Sequence, residues 1–458
     1  MTTDYTHPDY DKFKPLWDKV RDACAGEDEV KAKGKTYLPD PDETGEDAPR
    51  RYEAYKRRAT YLNATGRTLE GLIGVAYANW PQIECKYPIL LEDADGSGVG
   101  LIGQSQAVLS DVLQTARAGL LADWTRGDGI RRSRTVAELE RLGRRPFVAA
   151  YKAEQILTWE RQGTALTRVV LAEQEESHED GKVVFYPRLR ELLLTAKGYT
   201  IQVWVKYTSA QYTLKDTIEV GLPYIPFTFV GAVSNDANPG KPPLLDLANL
   251  NFAHYRNSAD YEESAFLMGQ PQLVISGVTD EWKEQTGPVT FGSRKALVLP
   301  VGGSATLLQA EANTLAKEAM ADKERLMAML GARLVAPGEA PKTAAQSNAE
   351  TKAAYSVLSL ACDNVSEAYT RVLRWLETWG TNGQSKASFA IDTRFNDLSL
   401  DANAIRETVA AWQAGIIPQS DAWAVLRRLG VIDQGKTDEQ LAGEIEAQGP
   451  GLNLDEVA

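Results

Sequence analysis

At 458 residues the chain is long enough to bury a substantial core and to divide into two to four structural units. Its formal net charge of −13 excludes a surface that grips nucleic acid broadly, because such affinity comes from Lys and Arg neutralising phosphates; it leaves room for a wall along which nucleic acid passes without sticking. With 43% hydrophobic and 25% charged residues the composition is that of a folded globular protein, and no apolar run approaches the roughly 18 residues needed to cross a bilayer.

The N-terminus, Met1 to Tyr10, lacks the basic start and apolar centre of a signal peptide, so synthesis in a cytoplasm-like compartment is the expectation. An acidic loop at 40–47 precedes a helix expected from Arg51 to about Trp80, with Leu69, Leu72, Ile73 and Ala76 on its apolar side and Pro81 as its end. A second helix is expected from Gln104 to Leu121. A third, short one starts at the capping box Thr135-Val136-Ala137-Glu138 and stops near Gly143. Between Phe147 and Val230 the pattern turns to strands, with Ala165 to Ala172, Val183 to Thr195 and Tyr199 to Tyr207 forming a β-meander across turns at 179–182 and 196–198.

Pro242-Pro243 opens a helix from Leu244 to Gly269 whose surface is polar on most sides: Asn249, Asn251, His254, Arg256, Asn257, Asp260, Glu262 and Glu263 surround a narrow stripe. Such a helix pairs with another subunit or a channel on one side and with water on the other. Short strands at Gln272 to Ser276 and Ala296 to Val301 form a small β-rich insertion. A helix from Glu311 to Leu334 follows, with Leu326, Met329, Leu330 and Leu334 as its stripe. It stops at Ala336-Pro337-Gly338-Glu339-Ala340-Pro341, and Thr343-Ala344-Ala345-Gln346 caps a new helix. That helix runs to Trp379 with Leu358, Ala361, Val365, Tyr369, Val372 and Leu376 at core spacing, and from Thr343 it would span roughly 55 Å. Three short helices follow Leu398, and the last dozen residues read as loose. The fold class is therefore α+β, mainly α with a β-meander and a small β-rich insertion.

No strong catalytic signature is present. Gly98-Val99-Gly100-Leu101-Ile102-Gly103 spells G-x-G-x-x-G, but no second strand follows within a βαβ length and acidic residues crowd its entry. Asp93 to Gly98 imitates the start of a calcium loop, yet Gln104 stands where a bidentate Glu is required. His7, His178 and His254 are too scattered for a metal site or triad, and His178 belongs to an acidic hairpin tip. Of the carboxylates on the polar helix only Asp260 and Glu263 are neighbours, which reads as a polar face rather than an acid/base pair. Cys24, Cys85 and Cys362 form no C-x-x-C and are expected as reduced thiols. Arg126-Gly127-Asp128 is taken as a chance tripeptide. Arg131, Arg132, Arg134, Arg141, Arg144 and Arg145 form the basic island, which meets phosphates or an acidic partner or pairs with Glu138 and Glu140. No Walker A, G-x-S-x-G or H-E-x-x-H sequence occurs, so no catalytic residue, cofactor or metal is expected.

The segment from Lys241-Pro242-Pro243 to Asn251, with His254-Tyr255-Arg256-Asn257-Ser258-Ala259-Asp260, resembles the portal proteins of tailed bacteriophages, in particular a formerly uncharacterised phage family. Gly119 to Asp123, Arg145-Pro146-Phe147, Gln155 to Trp159 and Leu330 to Leu334 agree with the same family, so the likeness covers roughly residues 50 to 440. The resemblance implies a ring, usually of twelve subunits, at one capsid vertex. Each subunit would have a wing (1–231, with the long helix in 343–397), a first stem helix (232–269), a clip (270–310), a second stem helix (311–334), a tunnel loop (335–342) and a short helical crown and tail (398–458). It also implies tunnel-loop roles for Pro337, Gly338, Glu339 and Lys342 and subunit contacts at Asn251, Arg256, Asp260 and Glu263; phosphate or partner contacts at Arg131, Arg132 and Arg134 are the reading of the basic island itself, and the resemblance leaves its partner open. The implied partners are double-stranded DNA in the channel, the terminase, a head–tail adaptor and the major capsid protein, with no membrane, in a virion assembled in the host cytoplasm. Twelve helices about 10 Å across enclose a clear bore near ~28 Å, wide enough for a duplex. Two other readings remain open on the residues: a nucleotide-binding or hydrolytic enzyme using the Gly98–Gly103 loop, and a helical scaffold or adaptor protein.

Overall fold

A computed structural model of the protein describes residues 5–42, 44–124, 145–207, 211–269, 272–286, 298–308, 314–335, 356–381, 385–393, 402–428, 431–432 and 436–447. They fall into two units, 1–391 and 392–458.

Helix α1 (Pro8–Ala25) is capped by His7, whose Nδ1 accepts the Asp9 N–H at 3.1 Å. Gly26, at φ 101°, turns the chain into α2 (Glu27–Ala32). The helix expected from Arg51 to Trp80 is two helices, α3 (Ala48–Arg58) and α4 (Ala64–Ala76). The break is a capping event: Asn63 Oδ1 accepts the Gly66 N–H at 3.0 Å, and the Thr60 N–H is satisfied by Ser258 Oγ at 2.9 Å. Strand β1 (Gln82–Glu84) and α5 (Ile89–Glu92) lead to α6 (Leu101–Thr115). The expected continuation of α6 to Leu121 does not occur. Ala116 adopts the left-handed conformation at φ 55°, closes the helix, and starts strand β2 (Arg117–Trp124).

Strand β2 is the middle of a three-stranded antiparallel sheet in the order β3 (Pro146–Lys152), β2, β9 (Phe227–Gly231). The expected meander is present between them as β4 (Ile156–Gln162), β5 (Ala165–Glu179), β6 (Lys182–Thr195), β7 (Gly198–Val205) and β8 (Thr213–Glu219), each paired antiparallel with the next. Alternation along these strands turns Trp159, Val169, Leu171, Leu192, Ile201 and Val203 into one core that also takes in Leu121, Tyr151, Phe227 and Phe229 from the smaller sheet.

Helix α7 (Leu245–Met268) matches the expected polar helix closely. The insertion after it pairs β10 (Gln272–Ser276) with β11 (Ser304–Leu308) and carries α8 (Asp280–Thr286). The second strand is thus Ser304–Leu308, after a turn at Gly302 and Gly303; of the expected strand Ala296 to Val301, residues 298–301 are not strand and 296–297 lie outside the described residues. Helix α9 (Thr314–Val335) returns from the insertion and packs on α7. The capping box at Thr343 to Gln346 lies outside the described residues. From α10 (Val357–Thr381) onward the expected stripe is realised: Leu358, Ala361, Val365, Tyr369, Val372 and Leu376 are fully enclosed, against α6, β2 and β9. Strand β12 (Ser388–Ala390) pairs with β1 and completes the first unit.

Among the described residues the second unit holds three short helices, α11 (Ala402–Gln413), α12 (Gln419–Arg428) and α13 (Asp438–Ala447), at the positions the Gly and Pro breaks predict.

Candidate assembly interface

The polar character of α7 has an internal explanation for much of its length. Asn251 is fully enclosed: its Oδ1 accepts from the Thr65 N–H at 3.0 Å and the Thr65 hydroxyl at 2.9 Å, while its Nδ2 donates to the Leu62 carbonyl at 2.7 Å. A buried amide is stable only with such partners. His254 is also enclosed and sets Nε2 3.1 Å from Glu324 Oε1 on α9. Asp260 accepts from the Tyr55 hydroxyl at 2.7 Å, and burial together with this bond raises the Tyr55 pKa above its ordinary value. Glu263 is paired with Arg58, whose guanidinium lies over the Phe266 ring at 4.2 Å.

Of the four residues expected at a subunit contact, Asn251 is therefore spent inside the chain, and Asp260 and Glu263 fasten α7 to α3. Arg256 is exposed and has no ion-pair partner among the described residues. Beside it, Lys19 of α1 sits over the Phe252 ring at 6.0 Å, one turn of α7 away from Arg256. Burial, with the Arg256 charge adding to it, lowers the Lys19 pKa.

Helix α9 buries a different stripe from the expected one. Ala316 and Met327 are enclosed, whereas Leu326 and Met329 are exposed at 45% and 42%, and Leu315 at 74%. Of the expected stripe, Leu326 and Met329 thus lie on the outside of the helix pair, together with Glu318, while Leu330 and Leu334 are half-buried. An open groove of about 520 Å³ runs between α4 and α9, lined in part by Leu62, Thr68, Leu72, Val75 and Met327. At the far end of the pair Phe266 and Leu267 on α7 and Val274 on β10 are exposed as well. Leu326 and Met329, three residues apart on α9, share one exposed side of that helix.

The chemical motifs resolve into structure. Asp93 Oδ1 accepts from the Gly96 and Gly98 N–H groups at 2.6 and 3.2 Å, its Oδ2 pairs with Arg145 at 2.9 Å, and Asp95 accepts from Ser97 at 3.0 Å. The Gly98–Gly103 segment follows a helix, α5, and not a strand. A Cβ on Gly100 would meet the Leu91 carbonyl oxygen at 2.0 Å, and Leu101 at the helix start is fully buried, so no pyrophosphate can approach there. Among the described residues no group of three or more His, Cys, Asp or Glu side chains is placed to hold a metal, and no helix is long and apolar enough to cross a membrane. His178 is exposed in the ribbon tip, and His7 stacks on Trp159 with ring centroids 4.0 Å apart. The cysteines are free thiols; burial pushes Cys24 up to about 12. The residues expected at a tunnel loop, Pro337, Gly338, Glu339 and Lys342, and the basic-island residues Arg131, Arg132 and Arg134, lie outside the described residues, as does Arg126-Gly127-Asp128.

Sequence reasoning missed Lys19, Tyr55, Arg58 and Glu324, whose roles depend on neighbours far along the chain. It also missed Arg117, which is buried between Trp159 and Phe229 at 4.0 and 4.3 Å from their ring centroids and donates to the Ala237 carbonyl at 2.9 Å. Its β-region setting gives no local signal.

Residues 243–380 match a family model described as "Domain of unknown function (DUF4055)". The matched region runs from the start of α7 to the end of α10. No curated protein matches the chain. Among solved structures, the chain is similar to one described as the neck of an empty GTA particle computed with C6 symmetry, at 15% identity and a TM-score of 0.43, covering 79% of this chain and 89% of that one. It is similar in the same way to the neck of a native GTA particle computed with C12 symmetry, at 14% identity and a TM-score of 0.42 over 79% and 89% of the two chains. A third is the virion of a native gene transfer agent (GTA) particle, at 15% identity and a TM-score of 0.39 over 93% and 96%.

Proposed function

We propose that the protein is a structural component of the head–tail region of a phage-like particle and, more finely, its portal: a ring of identical subunits through which double-stranded DNA enters and leaves the capsid. The observation that carries this reading is the pair of antiparallel helices α7 and α9, joined by a segment that holds a two-stranded β unit and flanked by apolar side chains left outside the subunit. A monomer gains nothing from Leu315, Leu326 and Met329 in water; a neighbouring subunit would bury them, at about 25 cal/mol per Å². In this reading α7 and α9 are the stem, β10, α8 and β11 the clip, and α10 the long wing helix that braces the sheets. The residues at 335–342 would form the tunnel loop, and the second unit the crown.

A net charge of −13 per copy suits such a conduit, since a wall of the same sign as the phosphates keeps the duplex moving. Force would come from a separate terminase docked on the clip, with an adaptor and the major capsid protein as the other neighbours. The test is negative-stain imaging of the purified protein. Rings with a central hole are expected, and deleting residues 335–342 should leave the rings intact while packaging fails. A monodisperse monomer whose melting temperature rises with nucleotide would overturn the reading.

A further inference from the structure

The two helices of the α7–α9 pair have unlike outer sides. On α7, His254 points to α9, and Arg256 follows two residues later, about 200° further around the helix, so Arg256 faces away from α9. On α9, Met327 is enclosed, and Glu318 lies nine residues before it, about 180° around, so it faces away from the buried side. The pair is a layer with a different flank on each side.

One flank is basic. Arg256 is exposed, and Lys19 is held over Phe252 one turn away, with no carboxylate paired to either among the described residues. Two cations fixed side by side with no carboxylate in ion-pair contact, although Asp260 stands one turn from Arg256, repel each other, a cost that an external anion removes. The opposite flank is apolar with an acidic element. Leu315, Leu326 and Met329 are exposed there, Glu318 has no ion-pair partner among the described residues, and Asp322 is paired only with the exposed Arg325 on the next turn. Such an exposed pair contributes little and yields readily to a better partner.

We propose that these two flanks are mates: the Lys19–Arg256 side of one copy receives the α9 side of a second copy, with Glu318 meeting the cations and Leu315, Leu326 and Met329 closing against the adjoining surface. Because the flanks differ, the contact is heterologous, and repetition generates a ring where the rotation closes and an open filament where it does not. This pairing rests on the ring reading above and adds to it the identity of the two contacting surfaces. Duplex DNA is the competing occupant of the cations, and the acidic balance of the chain favours a carboxylate instead.

The experiment uses the full chain. With Arg256→Cys and Glu318→Cys together, mild oxidation should give a covalent ladder of multimers that neither single variant gives. The two positions lie on opposite outer sides of the α7–α9 pair and cannot join within one subunit. Arg256→Glu should raise the concentration needed for assembly at least tenfold, measured by mass photometry, with an unchanged melting temperature. Adding Glu318→Arg should recover most of the loss. Rings that form without the ladder and ignore the charge swap overturn this pairing and leave the ring reading standing. A ladder in a protein that builds open filaments keeps the pairing and overturns the ring, whereas a chain with neither rings nor ladder overturns both. Unchanged assembly combined with weaker duplex binding by Arg256→Glu assigns the cations to phosphates and overturns the proposal.

Discussion

His254 and Glu324 meet across the α7–α9 junction, imidazole Nε2 3.1 Å from carboxylate Oε1, with the His side chain enclosed and the Glu side chain half in water. This contact joins two helices separated by the whole β insertion. His254→Ala removes both the contact and a buried ring, and should cost about 2 kcal/mol of unfolding free energy. Glu324→Gln, which keeps an acceptor oxygen, should cost less than about 1 kcal/mol. A double-mutant cycle by urea unfolding should return a coupling of roughly 0.5–1 kcal/mol; a coupling of zero would mean that the pair contributes no stability.

Asn251 is expected to matter more. Asn251→Ala orphans the Thr65 N–H and the Leu62 carbonyl in a closed environment, and should cost about 3 kcal/mol. Asn251→Asp keeps the acceptors for Thr65 but sets a carboxylate against the Leu62 carbonyl, so it should also destabilise. Chemical denaturation checks both, and midpoints equal to wild type would show that the amide is dispensable.

The glycines at 98 and 100 provide a contrast. Gly100 lies against the Leu91 carbonyl, so Gly100→Ala forces backbone to move and should cost about 3 kcal/mol or more. Gly98 faces open space at φ 81°, so Gly98→Ala carries only the left-handed backbone strain of about 1 kcal/mol. Calorimetry with NAD or ATP should register no binding to the wild-type chain. Saturable heat that Gly98→Ala abolishes would restore the dinucleotide reading of this loop.

His7 makes the N-terminal contact pH-dependent. Burial against Trp159 lowers its pKa from the ordinary 6.5, with Asp9 opposing and Arg117 adding to the shift. A base with a depressed folded pKa binds protons more readily when unfolded. Its contribution is therefore complete above about 6.5 and is lost as pH falls through the folded value. NMR titration of the imidazole should give a midpoint below 6.5, with a lower exchange protection factor under acid conditions at the His7 N–H, which donates to the Leu157 carbonyl. A midpoint at or above 6.5 would contradict the stacked arrangement.

Helix α10 was the most legible part of the chain, because six apolar residues at core spacing can satisfy only one face. The meander was legible for a related reason, since β-branched residues alternate between clear turns. Ala116 was not, because it ends α6 in a left-handed conformation without the glycine that announces one. The run Ala118 to Ala122 then reads equally well as buried strand or helix. At α7 the polar residues were read as facing outward, yet Asn251 and His254 find partners 186 and 70 residues away, and no local pattern encodes such distances. On α9 the choice between Met327 and the Leu326–Met329 side could not be made from periodicity, because both sides carry apolar residues.

The β5–β6 ribbon has a mechanical consequence. Strand β4 stops supporting it at Leu171 and β7 at Arg188, while its own rungs continue to Glu179 and Lys182. About 20 Å of two-stranded ladder therefore stands free of the sheet. At its base Glu173 is gripped by Arg188 and Arg190 at 3.2 and 2.8 Å and by the Tyr151 hydroxyl at 2.6 Å. At its tip Val183 and Phe185 face solvent. Such a beam is stiff at the anchor and compliant at the end, so a load on Phe185 arrives at Glu173 as torque and is delivered to the five-stranded sheet as a twist.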